Sequence, residues 1–149
     1  MRMDKFLPPT YFWTLMVMGI ALNIFFPIIR VLYPPYSYVG IAPIIAGIYL
    51  NLWADKLFKE RKTTVKPFEK PVILIEEGPF RISRNPMYLG MLLILVGEAM
   101  LFGVLSVFVI PWIFVCVMEI SFIEQEERDL EEVFDRKYSC YKKRVRKWL

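Results

Sequence analysis

Histidine is absent from all 149 residues, which removes both the commonest general base and the commonest metal ligand. Cysteine occurs only twice, Cys116 inside an apolar run and Cys140 in a basic tail. That excludes a disulfide framework and any CxxC spacing for zinc or redox chemistry, so no metal is expected. Neither GxGxxG nor GxxxxGK[ST] occurs, which excludes a soluble nucleotide fold built on a glycine-rich phosphate loop. No small-residue cleavage site follows the first apolar run, so that run is expected to be a retained helix and not a signal peptide. Fixed-period repeats and low-complexity tracts are also missing, and no nucleic acid or obligatory protein partner is indicated.

What the chain does contain is apolar: 56% of its residues, against roughly 45–50% in soluble domains, with a mean hydropathy of +0.42. The charged fraction of 23% is ordinary, so charge must be segregated into blocks between uncharged runs, as in a membrane protein. Phe6–Ile29 and Val31–Ala54 are each uncharged over 24 residues, enough for a helix rising ~1.5 Å per residue to cross ~30 Å of hydrocarbon. Arg30 and Pro34-Pro35 interrupt the pattern between them, since proline lacks a backbone donor and clashes with the preceding turn.

Met87–Ile123 is a third apolar stretch of 37 residues whose only charges are Glu98 and Glu119. As one straight helix it would measure ~55 Å and overshoot the bilayer, so a tight turn at Gly103 is expected to make a hairpin of it. The sequence thus predicts an all-α integral membrane fold in one domain, 1–149, with spans at about 7–29, 36–54, 87–102 and 104–123, a cytoplasmic loop 55–86 and an amphipathic helical tail 124–149. Basic residues give an independent test, because they collect on the cytoplasmic side. Four spans put 18 of the 19 Lys and Arg on one side, with Arg30 alone opposite, whereas three spans give an uninformative 10 to 9. Both termini are therefore expected in the cytoplasm.

Two clusters could carry chemistry. In Gly78-Pro79-Phe80-Arg81-Ile82-Ser83-Arg84-Asn85-Pro86-Met87-Tyr88-Leu89-Gly90, Asn85 suits a helix N-cap and Pro86 the first helical position. Arg81, Arg84 and Tyr88 then read as interfacial anchors. Alternatively, a helix N-terminus beside two arginines is an anion site for a carboxylate or phosphate. On the tail, a spacing of 100° per residue gathers Leu130, Val133, Phe134, Tyr138, Tyr141, Val145 and Trp148 on one face, with Glu126, Glu127, Lys137 and Arg144 inside the same arc. Carboxylates facing packed side chains cost several kcal/mol unless paired or ligand-bound. Internal pairing with Lys or Arg and ligand binding both satisfy that requirement. Glu98 lies within an apolar run, where an ionisable group is a functional candidate unless it sits at the interface, and Asn23 and Asn51 can bond between helices.

The run GPFRISRNPMYLG, the apolar hairpin after it and EERDLEEVFDRKYSCYKKRV together resemble the isoprenylcysteine carboxyl methyltransferase and phospholipid methyltransferase superfamily, and Asp55–Pro67, ending in TTVKP, is similar to the preceding loop of many members. The resemblance covers about the last two thirds of the chain. It implies an integral membrane methyltransferase that takes S-adenosylmethionine from the cytosol and a lipophilic acceptor from the bilayer. Carried over by residue, Asn85, Pro86, Tyr88, Leu89 and Gly90 would line the cofactor pocket, and Glu126 and Glu127 would hold the cofactor's ammonium and ribose hydroxyls. Arg84, Tyr141 and Arg144 would lie near the reaction centre.

Asn85 stands where carboxyl methyltransferases of the superfamily usually have histidine, as in the NPMY run of phospholipid N-methyltransferases, while YKKRV at the tail looks more like the carboxyl methyltransferases. A carboxylate or thiolate acceptor needs no general base, and a histidine-free site tilts the reading toward an anionic acceptor oriented by Arg84 or Arg144. Phosphatidylethanolamine N-methylation is the alternative within the superfamily, reductase-like relatives would bind NADPH, and a small proton-coupled four-helix transporter using Glu98 is the alternative outside it. Arg144 lies 18 residues beyond Glu126, ~27 Å along a continuous helix. If both serve one site, the tail must break, and the expected place is after Tyr138, near Ser139-Cys140.

Overall fold

The computed structural model describes residues 7–61 and 73–149, and MRMDKF at the start and the TTVKP turn lie outside the described residues. All regular structure among those described is helical: α1 Pro8–Phe25, α2 Ile41–Glu60, α3 Pro86–Phe102, α4 Val109–Met118 and α5 Glu124–Arg144. Short 3₁₀ turns lead into α2, α3 and α4, and a π-helical turn, Glu119–Ile123, joins α4 to α5. Tyr36–Glu60 and Leu105–Arg144 are long and apolar enough to cross a membrane, and Pro86–Phe102 is a shorter apolar helix.

Several boundaries differ from the sequence reading. Helix α1 stops at Phe25, four residues short of Ile29. Helix α2 runs on to Glu60, past the end of the apolar run, because Asp55–Lys59 and Lys56–Glu60 pair along its exposed last turns and charged residues four apart support a helix. The turn after α3 is Gly103, with φ +65°. A Cβ there would be strained and would also collide with the Leu32 carbonyl.

That turn is bonded to the connection between α1 and α2. Val31 N donates to Gly103 O at 2.7 Å, Leu105 N to Ile29 O at 2.8 Å and Ser106 Oγ to Phe26 O at 2.7 Å. Arg30 and the hairpin turn therefore share one end of the bundle.

Helices α2 and α3 pack through glycine. Gly40 faces Gly97 and Gly47 faces Gly90, and a Cβ on any of the four would strike the opposing helix. Spaced seven apart on both antiparallel helices, the glycines let backbone lie on backbone. Asn51 donates to Gly47 O of its own helix at 3.0 Å, so it closes a turn of α2 and does not bond to a neighbour, although its amide lies against Gly90. Glu98 is buried in the seam between α3 and α1 opposite Gly19, with Oε2 lacking a hydrogen-bond partner. Outward, α1 presents Trp13, Val17, Ile20 and Ile24 and α2 presents Ile45, Ile48, Tyr49 and Leu52, apolar faces suited to lipid.

Helix α5 is not straight. Asp135 has φ 38° and ψ −111°, a positive-φ conformation that few residues other than glycine enter. The break therefore falls at Asp135, not near Ser139-Cys140. Of the residues that a continuous wheel assigns to the inward arc beyond this break, Lys137 and Arg144 are exposed, whereas Tyr138 and Tyr141 are buried. Tyr138 and Tyr141, three apart and on the inward face as expected, close a second core with Leu74, Ile75 and Phe80.

Candidate active site

The N-terminus of α3, the first turns of α5 and the residues after α5 meet at the end of the bundle opposite Gly103. Pro86 occupies the first turn of α3 as expected, but Asn85 does not cap it. Its side chain donates to Lys147 O at 3.1 Å. Ser83 Oγ donates to the same carbonyl at 2.9 Å and accepts from Asn85 N at 3.0 Å, and Arg84 N donates to Arg146 O at 3.0 Å. The chain after the break thus returns to residues 83–85, leaving the start of α3 without the side-chain cap that Asn usually supplies.

The paired glutamates meet opposite surroundings. Glu127 is buried and lies among three cations: Arg84 Nη2 at 3.1 Å, Lys142 Nζ at 3.4 Å and Lys147 Nζ at 4.0 Å. Glu126 is only partly buried and its partner is Tyr88, whose hydroxyl donates to Oε1 at 2.7 Å. Burial, opposed by that hydrogen bond and assisted by Asp129, pushes the Glu126 carboxyl up to about 7. Lys142 is raised by its bond to Glu131, with Glu127 adding to the effect.

Arg84 is the least satisfied member. Its side chain is only 9% exposed, and the approach to Glu127 is close enough for an ion pair without being aligned as a hydrogen bond. Arg84 Nε, Arg84 Nη1 and Glu127 Oε1 are buried with no hydrogen-bond partner. Unpaired buried polar atoms cost about 1–3 kcal/mol each, so a cluster of them beside an uncapped helix start is what a polar ligand would fill.

Tyr141 is buried beneath this cluster and donates to Phe80 O at 2.7 Å. Burial pushes its phenol and that of Tyr138 above the usual range, with Arg84 opposing in both. Arg144 sits at the rim, two-thirds exposed and ion-paired with Glu76. Of the residues singled out from sequence, Arg84, Asn85, Pro86, Tyr88, Glu126, Glu127 and Tyr141 are gathered at this end, and Leu89 and Gly90 continue the same helix. Glu119, Lys142 and Lys147 were not anticipated. Their only sequence signal is the charge of Glu119 at the end of an apolar run.

Among the described residues all regular structure is helical, two helices are long and apolar enough to cross a membrane, and a polar cluster lies at one end of the bundle. Residues 36–137, about two thirds of the chain, match the phospholipid methyltransferase family model. The chain belongs to that family and is a membrane methyltransferase. No curated protein and no solved structure matches it.

Proposed function

We propose that this protein transfers a methyl group from S-adenosylmethionine to the amine headgroup of a membrane phospholipid. The observation that carries the reading is Glu126, the carboxylate of the site whose partner is a tyrosine and not a cation. An amine must lose a proton before it attacks a methyl group, and a carboxyl pushed up to about 7 suits that task in a chain without histidine.

The residues fit the cofactor as the resemblance implies. The unfilled donors of Arg84 and the uncapped start of α3 accept an anionic group, and Glu127 accepts an ammonium if Lys142 or Lys147 yields. Asn85, Pro86, Tyr88, Leu89 and Gly90 form the wall, with Gly90 keeping α3 close to α2. When bound, S-adenosylmethionine supplies an electrophilic methyl on sulfur, and in-line positioning provides much of the rate. In this reading Glu126 takes the amine's proton, Tyr88 holds Glu126 in place, and Arg84 orients an anionic group. Tyr141 supports the loop before Arg84 through Phe80 O. Arg144 reaches the acceptor only by releasing Glu76.

A second reading, carboxyl methylation of a prenylated cysteine, is favoured by Arg84, whose buried Nε–H and Nη1–H lack partners and can each give a charge-assisted hydrogen bond to an anionic acceptor. Either reading takes the chain to have four spans with both termini in the cytoplasm, an arrangement in which the site would lie where cofactor and lipid headgroups meet.

The test uses purified protein in lipid nanodiscs with methyl-labelled S-adenosylmethionine. Label is expected in phosphatidylethanolamine and not in a farnesylcysteine carboxylate. The reverse result selects the second reading, and failure of the protein to bind the cofactor rejects both.

A further inference from the structure

Glu119 opens the π-helical turn between α4 and α5, and such turns shift the phase of a helix and recur at functional sites. It faces the residues that follow α5. Lys147 Nζ forms an ion pair with Glu119 Oε1, and Trp148 Nε1 donates to Glu119 Oε2 at 3.3 Å. The same ammonium stands 4.0 Å from Glu127 Oε2. The Lys147 carbonyl meanwhile accepts from Ser83 and Asn85, so the backbone is fastened to the start of α3 independently of where the side chain goes.

Two neighbouring places result. One, between Glu119 and Glu127, suits a primary ammonium ion and holds the chain's own. The other is next to it across the Glu127 carboxylate, where Arg84 Nε and Nη1 are buried and unpaired, and it suits an anion that nothing among the described residues provides. A cation place filled from within, beside an anion place left open, is the imprint of a small zwitterion.

We propose that Glu119 and Glu127 form a subsite for a primary ammonium group and that Lys147 is its tethered occupant, displaced when a zwitterionic ligand sets its anionic group on Arg84. The inference rests on the methyltransferase reading above, and both reactants of that reading carry the required chemistry. The amino-acid end of S-adenosylmethionine joins an ammonium to a carboxylate, and the phosphatidylethanolamine headgroup joins one to a phosphodiester. Displacement must be reversible, and a lysine on a flexible stem whose nearer carboxylate, Glu119, is partly exposed suits that purpose.

A merely structural tie and a tethered occupant differ in the sign of one measurement. In the full protein in nanodiscs, Lys147→Met is expected to tighten a zwitterionic ligand about fivefold or more, because the internal competitor is gone, whereas Glu119→Gln weakens the same ligand by a similar factor. The exposed Lys137→Met serves as control and leaves affinity unchanged. The dissociation constant of S-adenosylmethionine and the KM for phosphatidylethanolamine are measured separately, and whichever moves names the source of the ammonium.

Wild-type protein provides a second measurement should Lys147→Met fail to fold. Acetylation of Lys147 by acetic anhydride, followed by mass spectrometry, is expected to be slow alone and several-fold faster with the displacing ligand, while phosphatidic acid, which lacks the ammonium, has no effect. Binding by the wild type with no tightening in Lys147→Met, or with Lys147 equally reactive throughout, overturns the proposal and leaves the methyltransferase reading intact. Wild-type protein that binds neither ligand overturns both.

Discussion

Glu126 and Glu127 are adjacent in sequence, yet a step of 100° along a helix sends one to Tyr88 and the other to Arg84, Lys142 and Lys147. This difference gives Glu126 a distinctive pH signature. Its carboxyl rises from 4.5 in the unfolded chain to about 7 in the folded one, so between those values the folded state holds a proton that the unfolded state has lost. Its contribution to stability is therefore complete below about pH 4.5 and is lost as pH rises through 7. Activity moves the other way, since a proton acceptor must be ionised. Turnover is expected to increase as pH rises through about 7, and Glu126→Gln should remove that limb and lower the maximal rate at least ~100-fold, within the range typical of a lost general base. A pH–rate profile of the two proteins checks this, and an unchanged limb in the variant would reject Glu126 as the acceptor. Glu132→Gln, on the exposed side of α5, is the comparison that should change neither rate nor profile.

Among the elements, α2 and α3 form the scaffold on which the site is mounted. Gly40, Gly47, Gly90 and Gly97 were visible in the sequence, but their pairing was not, because one chain read in order does not reveal which helices touch. Gly97→Ala is expected to cost about 1–3 kcal/mol through overpacking, since its Cβ would run into Gly40 O and Ile44. Thermal unfolding in detergent with a tryptophan or dichroism readout measures the effect, and a wild-type transition would mean the helices are not held this closely. Gly97 lies two turns from Gly90, so the same variant should leave cofactor affinity unaltered wherever it folds. Helix α5 teaches a related lesson. Its apolar spacing was legible, and Glu127, Tyr138 and Tyr141 are indeed buried. Beyond Asp135 the wheel holds for the two tyrosines but misplaces Lys137 and Arg144, which are exposed, and no glycine or proline marks the non-helical residue at Asp135.

For the whole molecule, the hairpin turn and the Arg30 connection share one end, and the candidate site occupies the other. With 18 of 19 basic residues assigned away from Arg30, both termini and the site are expected to face the cytoplasm across four spans. Cys116 and Cys140 are free and exposed, so both must be replaced before a single cysteine is placed at Ser139 and probed with an impermeant maleimide in sealed vesicles. Reaction from the cytoplasmic side alone is expected, and reaction from the outside alone would refute the arrangement. The sequence by itself determined the helical class, the order of apolar and charged segments, the turn at Gly103 and the two charged clusters, one on each side of the hairpin. These depend on hydropathy, local spacing and glycine or proline chemistry, which act over a few residues. Only the tertiary structure decided that Asn85 spends its side chain on Lys147 O in place of capping α3, that Glu127 is encircled by cations while Glu126 is not, and that Glu119 joins them. Those outcomes depend on contacts between residues as far apart as Ser83 and Lys147, and the fold alone sets which charges share so small a volume and which buried donors remain unpaired.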